Sequence, residues 1–144
     1  MSPHETSRAA RPAPSPSPET APFWEAAARG ALSLQVCPRC EDVVFPPAAR
    51  CPHCLSEDIA WRELSGRGRL RSWTALYIPA FPGSPKPTLI VEVEPDEGRT
   101  TIIPMLAEAA DESALVPGAP VAIRFGKDAN GWSFPFAVPA GLRE

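Results

Sequence analysis

The sequence contains few of the side chains and motifs on which enzymes usually rely. It has two histidines, His4 and His53, although histidine is the most frequent general acid or base in active sites. A Gly-x-Ser-x-Gly nucleophile elbow, a P-loop and a dinucleotide-binding fingerprint are all absent. We therefore expect a protein that is not an enzyme by itself.

Long apolar runs and a surplus of positive charge are absent as well. No stretch of ~18 apolar residues exists, so the sequence predicts no segment that spans a membrane. The formal net charge is −3, which is unlike a general nucleic-acid-binding protein. The N-terminus shows no apolar stretch of a secretory signal. We expect a cytoplasmic protein, in which the four cysteines bind a metal rather than form disulfides.

Proline, by contrast, is abundant, with 20 residues, and it interrupts almost every window of helical length. Residues 1–19 are polar and proline-rich, which predicts a disordered, partly polyproline-like tail. Residues 20–30 predict a short helix with Thr20 as its cap and Gly30 as its stop. Such a short helix needs a surface to pack on, so Phe23 and Trp24 contact either the rest of the chain or a partner protein.

Two Cys-x-x-Cys knuckles are the strongest signal in the sequence, and ten residues separate them. Four thiolates form a closed tetrahedral site, which is typical of structural rather than catalytic zinc. About 30 residues cannot bury enough apolar surface to fold alone, so we expect a metal-stabilised ribbon over residues 31–64. Iron is the less favoured alternative, because it accepts the same sulfur set. His53 is surplus to the expected ligands, which are Cys37, Cys40, Cys51 and Cys54.

From Gly66 onward the pattern is all-β. Five short strands over residues 65–138 predict a small barrel or a sandwich, followed by a C-terminal tail at 139–144. In the first of these strands, alternation predicts that Trp73 and Ala75 lie on one face and that Leu70 lies on the other.

Charged and aromatic residues on these strands allow two interpretations. Arginines dominate residues 62–71, which indicates either a solvated strand face or a basic patch that faces an anion. The aromatic residues either fill the core or stack the bases of a single-stranded nucleic acid. The basic stretch consists mainly of Arg67, Arg69 and Arg71.

The order of these motifs resembles that of the domain-of-unknown-function family 35 over residues 20–138. The resemblance rests on the aromatic helix and on seven further motifs: Gly30-x-Leu32, Cys37-x-x-Cys40, Phe45-Pro-Pro47, Cys51-Pro-x-Cys54, Gly66-Arg-Gly68, Ser72-Trp-Thr74 and Pro117-Gly-x-Pro-Val121. It departs from the family at Glu41 and Leu55, where glycine commonly follows the second cysteine of each knuckle.

The resemblance implies a mainly β protein with a rubredoxin-like zinc ribbon followed by a five-stranded OB-fold barrel. It also implies a non-catalytic accessory subunit of a thiolase-like enzyme that acts on acyl-CoA, namely a thiolase, an acyltransferase or a lipid-transfer-protein-like aldolase. On this reading Phe23 and Trp24 contact the partner. Charge complementarity suggests that Arg67, Arg69 and Arg71 face the phosphates of CoA. The alternative function is a single-stranded nucleic-acid-binding OB-fold module.

Overall fold

The computed structural model describes residues 10–109 and 111–139 and is mainly β, as the sequence predicted. No helix in these two ranges is both long and apolar enough to cross a membrane. The elements are α1 (Ala21–Ala28), β1 (Ser33–Cys37), β2 (Asp42–Val44), β3 (Ala60–Glu63), β4 (Arg67–Leu76), β5 (Thr88–Pro95), β6 (Ile103–Ala107), a 3-10 turn (Glu112–Ala114), β7 (Pro120–Lys127) and β8 (Ser133–Pro139).

Helix α1 begins after Thr20 and ends before Gly30, as the sequence predicted, but Thr20 does not cap it through its side chain. Gly30 has φ +77°, and the N–H groups of Gly30 and Ala31 donate to the carbonyls of Ala27 and Ala26. This pattern is the Schellman stop that a glycine favours. Thr20 occupies the cap position, but its side chain makes no capping hydrogen bond, because its backbone is helical (φ −106°, ψ −11°) rather than extended. Its Oγ1 accepts instead from the N–H of Ser17 at 2.9 Å.

The first three strands form a small antiparallel sheet in the order β2-β1-β3. Central β1 pairs with both neighbours, so that Gln35 lies opposite Val44 on one side and Trp61 on the other. The two cysteine knuckles flank this sheet, since Cys37 ends β1 and Cys51 lies in the segment that connects β2 to β3. The sheet is the predicted ribbon.

The last five strands close into a barrel in the order β4-β5-β6-β8-β7. The contact between β6 and β8 is parallel, and every other pairing in the barrel is antiparallel. This is the OB-fold arrangement, a five-stranded Greek-key barrel. The sandwich alternative is therefore excluded and the OB-fold prediction is confirmed.

The face assignment predicted for β4 is wrong, because a bulge interrupts the strand. The pairing of β4 with β5 shifts between Leu70 and Ser72, which leaves Arg71 as the extra residue. A bulge reverses the alternation of side chains that follow it. Leu70 is buried before the bulge, and Trp73 and Ala75 pack against the same core after it. The residues that strict alternation separates thus share one face.

One hydrophobic core joins the ribbon to the barrel. The ribbon contributes Leu32, Leu34, Val36 and Val43, all less than a tenth exposed, to the cluster that holds the inward side chains of the barrel. A smaller cluster of Cys37, Val44 and Cys51 surrounds the knuckles. The ribbon and the barrel therefore pack against each other through one shared hydrophobic core.

The segment before α1 has defined contacts from Arg11 onward, although the sequence predicted a disordered tail over 1–19. Its less exposed residues recur every third position, at Arg11, Pro14, Ser17 and Thr20. A period of three is the repeat of a polyproline II helix, which presents one row of side chains to a surface. The backbone N–H of Arg11 donates to Asp128 Oδ2 at 3.1 Å. Residues 1–9, with His4, lie outside the described residues, as do residues 140–144 of the predicted C-terminal tail.

Candidate functional site

The four cysteine sulfurs converge on one point. All four lie within 4.8 Å of one another, and they form the one group of potential metal ligands found among the described residues. The sulfurs of Cys37 and Cys54 are 3.6 Å apart, and those of Cys51 and Cys40 are 3.8 Å apart. Sulfurs bound at ~2.3 Å to one tetrahedral ion lie about 3.8 Å apart, so the arrangement fits such an ion. All four are free thiols rather than disulfides.

The surroundings of the knuckles favour the thiolate form at one sulfur and oppose it at another. Hydrogen bonds from the N–H groups of Cys54 and His53 lower the pKa of Cys51 to about 6, although burial acts in the opposite direction. Hydrogen bonding with the neighbouring thiols, first that of Cys54, and burial raise the pKa of Cys40 to about 12. Like charges at these distances repel, so four thiolates require a cation between them.

In each knuckle a non-glycine residue adopts the left-handed backbone conformation. Glu41 has φ 53° and Leu55 has φ 61°. In each case the N–H of this residue donates to the carbonyl of the first cysteine of its knuckle, from Glu41 to Cys37 at 2.8 Å and from Leu55 to Cys51 at 2.9 Å. A non-glycine residue in this conformation costs roughly 1–2 kcal/mol. The knuckles hold this strain at both turns.

A buried carboxylate connects the metal centre to the barrel. Asp42, at the start of β2, accepts hydrogen bonds from the N–H of Arg99 and from the hydroxyl of Thr100, each at 2.7 Å. Burial raises the pKa of Asp42, but the hydrogen bonds from Arg99, Thr100 and Val43 outweigh it and lower the pKa overall. His53 Nε2 lies 3.6 Å from Asp42 Oδ2, so the surplus histidine faces this carboxylate.

The arginines of β4 lie on the outer wall of the barrel. Arg67 and Arg69 line an open groove of about 470 Å³, which Arg124 of β7 and Asp96 also line. Arg69 Nη1 donates to the carbonyl of Gly118 at 3.2 Å. Arg71, at the bulge, has Nη1 3.9 Å from Glu94 Oε1 and does not line this groove. The structure thus brings together two of the three predicted arginines.

Arg124 is a member of this cluster that the sequence analysis missed. It lies at an exposed position of β7, the strand that pairs with β4 to close the barrel. The signal was present, because residues 121–125 alternate and place Arg124 on the outward face. The pairing of β7 with β4, which places Arg124 beside Arg67 and Arg69, could not be predicted from the sequence.

The aromatic residues of α1 pack on the barrel. Phe23 contacts Phe125 with ring centroids 6.2 Å apart, and Trp24 contacts Trp132 and Phe134 at 5.9 and 5.7 Å. Both side chains remain half-buried. Of the two surfaces that the sequence left open, α1 uses the body of its own chain, and the half-exposed edges of Phe23 and Trp24 remain at the surface.

Comparison with known protein families matches both units. Residues 24–60 match the model of the rubredoxin-like zinc ribbon domain of ChsH2, and residues 61–126 match that of its C-terminal OB-fold domain. Together the two models span more than half of the chain. The chain belongs to this zinc-ribbon and OB-fold family.

Solved structures agree with the family assignment. The chain is similar to a chain of the "Ltp2-ChsH2(DUF35) aldolase", with 27% identity and a TM-score of 0.76 over 89% of this chain and 99% of that one. A protein of unknown function of family 35 from Sulfolobus solfataricus has the same fold, with 16% identity and a TM-score of 0.60 over 85% of this chain and 86% of that one. The predicted resemblance to family 35 is confirmed.

A curated relative is much longer than this chain. It is named "Probable enoyl-CoA hydratase alpha subunit", comes from Thermomonospora curvata and is 31% identical over 116 residues. The match covers 81% of this chain but 36% of that protein. Its name therefore describes a protein of which this zinc-ribbon and OB-fold chain resembles about a third.

Proposed function

We propose that this chain is a non-catalytic accessory subunit that binds and supports a thiolase-like enzyme acting on acyl-CoA. The similarity to the ChsH2 chain of an Ltp2-ChsH2 aldolase carries the proposal, because it extends over 99% of that chain and includes both the ribbon and the barrel. The enoyl-CoA hydratase name of the longer relative supports a setting of CoA ester chemistry. The class of the partner is a thiolase, an acyltransferase or a lipid-transfer-protein-like aldolase.

The metal in this proposal is a structural zinc ion held by Cys37, Cys40, Cys51 and Cys54. Four protein sulfurs leave no coordination position for substrate, so the ion stabilises the fold and takes no part in chemistry. Free thiols that serve as metal ligands also suit a reducing compartment, and we place the protein in the cytoplasm. Elemental analysis of protein produced with both metals supplied separates zinc from iron. One equivalent of iron would overturn the zinc assignment.

Within the complex, we assign Arg67 and Arg69 to the CoA phosphates, with Arg124 beside them. Arginine forms bidentate hydrogen bonds with phosphate, and these three side chains line one open groove. Charge reversal of Arg67 to Glu is expected to raise the KM of the complex for acyl-CoA at least tenfold and to leave kcat within about twofold. Arg62→Glu, on the ribbon, is the matched control, because Arg62 is exposed but lies outside this groove.

Purification from the native host tests the partner directly. The full chain, tagged and expressed in that host, should retain a thiolase-like protein in constant stoichiometry, identified by mass spectrometry. The activity of that enzyme should fall when the chain is withdrawn and return when it is added back. A monomer without a stoichiometric partner, and without effect on any thiolase-like activity, would overturn the proposal.

The aromatic face of α1 is the proposed contact with the partner. Phe23 and Trp24 are half-buried against the barrel and expose the remainder of their rings. Phe23→Ala is expected to weaken complex formation at least tenfold, whereas Glu25→Ala, an exposed residue of the same helix, leaves it unchanged. Circular dichroism of the free variant separates lost binding from lost folding. Equal binding by a folded Phe23→Ala variant would remove α1 from the interface.

Binding of single-stranded nucleic acid is the alternative that the arginines of β4 favour. Its weakness lies in the aromatic residues, since Trp73 packs on the core and donates to Glu112 Oε1 at 3.1 Å, and Trp132 and Phe134 contact Trp24. Stacking requires exposed ring faces. Titration with oligonucleotides at low salt is expected to show no binding, and a steep salt-dependent affinity would favour this alternative.

A further inference from the structure

An apolar groove lies where the helix, the ribbon and the barrel meet. Its volume is about 310 Å³, within the range of small-molecule sites. It is lined by the buried Leu34 of β1 and Met105 of β6 and by the half-buried Trp24 and Phe45. Among the described residues that line it almost all are apolar, and Arg11 is the one that carries a charge.

Arg11 is held at the edge of this groove by two aromatic rings. Its guanidinium carbon lies 3.9 Å from the centre of the Phe134 ring and 5.8 Å from that of Phe81. Such cation–π contacts orient the planar guanidinium but leave its N–H donors unused. Burial lowers the pKa of Arg11, whereas the charge of Asp128 raises it. An arginine side chain stays positively charged in proteins.

The guanidinium lacks an acceptor among the described residues. No described carboxylate lies within ion-pair distance of it, and its side chain donates no hydrogen bond within the described ranges. Asp128 is the acid whose charge acts on it, but the oxygens of Asp128 accept from the backbone N–H groups of Arg11, Asn130 and Trp132. A partly desolvated guanidinium with unused donors is an incomplete anion site.

We propose that this groove binds a molecule with an apolar chain and a carboxylate, with Arg11 as the residue that holds the carboxylate. A carboxylate matches the planar fork of arginine with two parallel hydrogen bonds. The walls can bury an alkyl chain, whose transfer from water stabilises binding by ~0.8 kcal/mol per methylene. This site does not include the arginines of β4, but it shares Phe23 and Trp24 with the proposed partner contact, so the experiments use the free chain.

Titration of the full chain with decanoate tests the site. Binding is measured by calorimetry and by the fluorescence of Trp24, which lines the groove. Decanoate is expected to bind at one site, at least tenfold more tightly than decanol, which has the same chain without the charge. Acetate, which has the charge without the chain, is expected not to bind. Equal affinity for decanoate and decanol, or no binding of either, would overturn the proposal.

Substitution of Arg11 then identifies the residue responsible. Arg11→Glu is expected to weaken decanoate at least tenfold and to favour decyltrimethylammonium, whereas Arg11→Lys keeps the preference for decanoate. Arg71→Glu, an exposed residue of β4 that does not line the groove, is the matched control and leaves both affinities unchanged. If Arg11→Glu keeps the preference for decanoate over decyltrimethylammonium, or loses decanoate and decanol equally, Arg11 does not hold the carboxylate and the assignment fails.

Discussion

Removal of the metal is expected to unfold the ribbon and, through the shared core, to destabilise the barrel. We expect the ribbon not to fold without the ion, because metal binding contributes ~10–16 kcal/mol to the folding free energy of small zinc domains. Its residues Leu32, Leu34, Val36 and Val43 pack with the inward side chains of the barrel. When the ribbon unfolds, the barrel loses all four contacts at once.

The expected cost to the barrel follows from these four side chains. Burial of one leucine or valine side chain is worth ~1.5–3 kcal/mol, so the four together contribute roughly 6–12 kcal/mol as an upper bound. A whole domain is typically stable by only 5–15 kcal/mol. Loss of the metal should therefore lower the melting temperature of the barrel by at least ~10 °C, or unfold it at room temperature.

Tryptophan signals can separate the two events. Trp61 lies on β3 of the ribbon, and its near-ultraviolet dichroism should disappear when a chelator removes the metal under reducing conditions. In a Trp61→Phe variant, the fluorescence of the remaining tryptophans, none of which is on the ribbon strands, reports the melting of the barrel. Addition of Zn²⁺ should restore both signals.

Two variants complete the experiment. Cys51→Ser removes a buried thiol and should reproduce the effect of chelation. His53 lies in the same knuckle, but its side chain faces Asp42 rather than the sulfurs. The His53→Ala variant should therefore still bind one equivalent of metal. If the metal leaves while the Trp61 signal persists, the ribbon does not depend on it. If the ribbon unfolds while the barrel melts unchanged, the shared core contributes no stability, and the reasoning is refuted.

Three further predictions concern single residues. Replacement of Leu55 (φ 61°) by Gly should raise the free energy of unfolding by ~0.5–1 kcal/mol, and Ala49→Gly, an exposed control outside the left-handed region, should not raise it. Asp42→Asn should lower stability by ~1–3 kcal/mol at pH 7. Folding lowers the pKa of Asp42, so its carboxylate contributes to stability at a pH above its ordinary pKa of 3.8. This contribution disappears as the pH falls through the pKa of the folded state. Urea melts of the wild type and the variant should therefore converge at low pH. Gly68→Ala should cost ~1–3 kcal/mol in equilibrium unfolding, because its Cβ would lie 2.5 Å from the carbonyl oxygen of Glu94, and unchanged stability would contradict the close approach of β4 and β5.

Local chemistry explains what the sequence predicted well. The knuckle spacing, the glycine after α1 and the five alternating segments each depend on residues that are near neighbours along the chain. The family resemblance then selected the barrel over the sandwich. The departures at Glu41 and Leu55 also proved informative, because both residues occupy the left-handed conformation that glycine would adopt without strain.

Long-range contacts explain what the sequence analysis missed. Residues 10–19 were predicted to be disordered because their composition offers little apolar surface, yet Arg11 bonds to Asp128, 117 positions away. Propensity rules do not include a partner at that separation. The reversed face of Trp73 has a similar cause, because the bulge at Arg71 depends on pairing with β5 rather than on the sequence of β4 alone.

The metal centre and the apolar groove are physically linked, which yields a last prediction. Leu32, Leu34 and Phe45, which line the groove, belong to the ribbon that the ion stabilises. Asp42 joins the same ribbon to the barrel through Arg99 and Thr100. The groove therefore needs an ordered ribbon to exist, and chelation should abolish decanoate binding even where the barrel remains folded. Arg11 and Phe134 both lie outside the ribbon. Retention of full decanoate affinity by the metal-free chain would therefore show that the barrel and the N-terminal segment form the site without the ribbon.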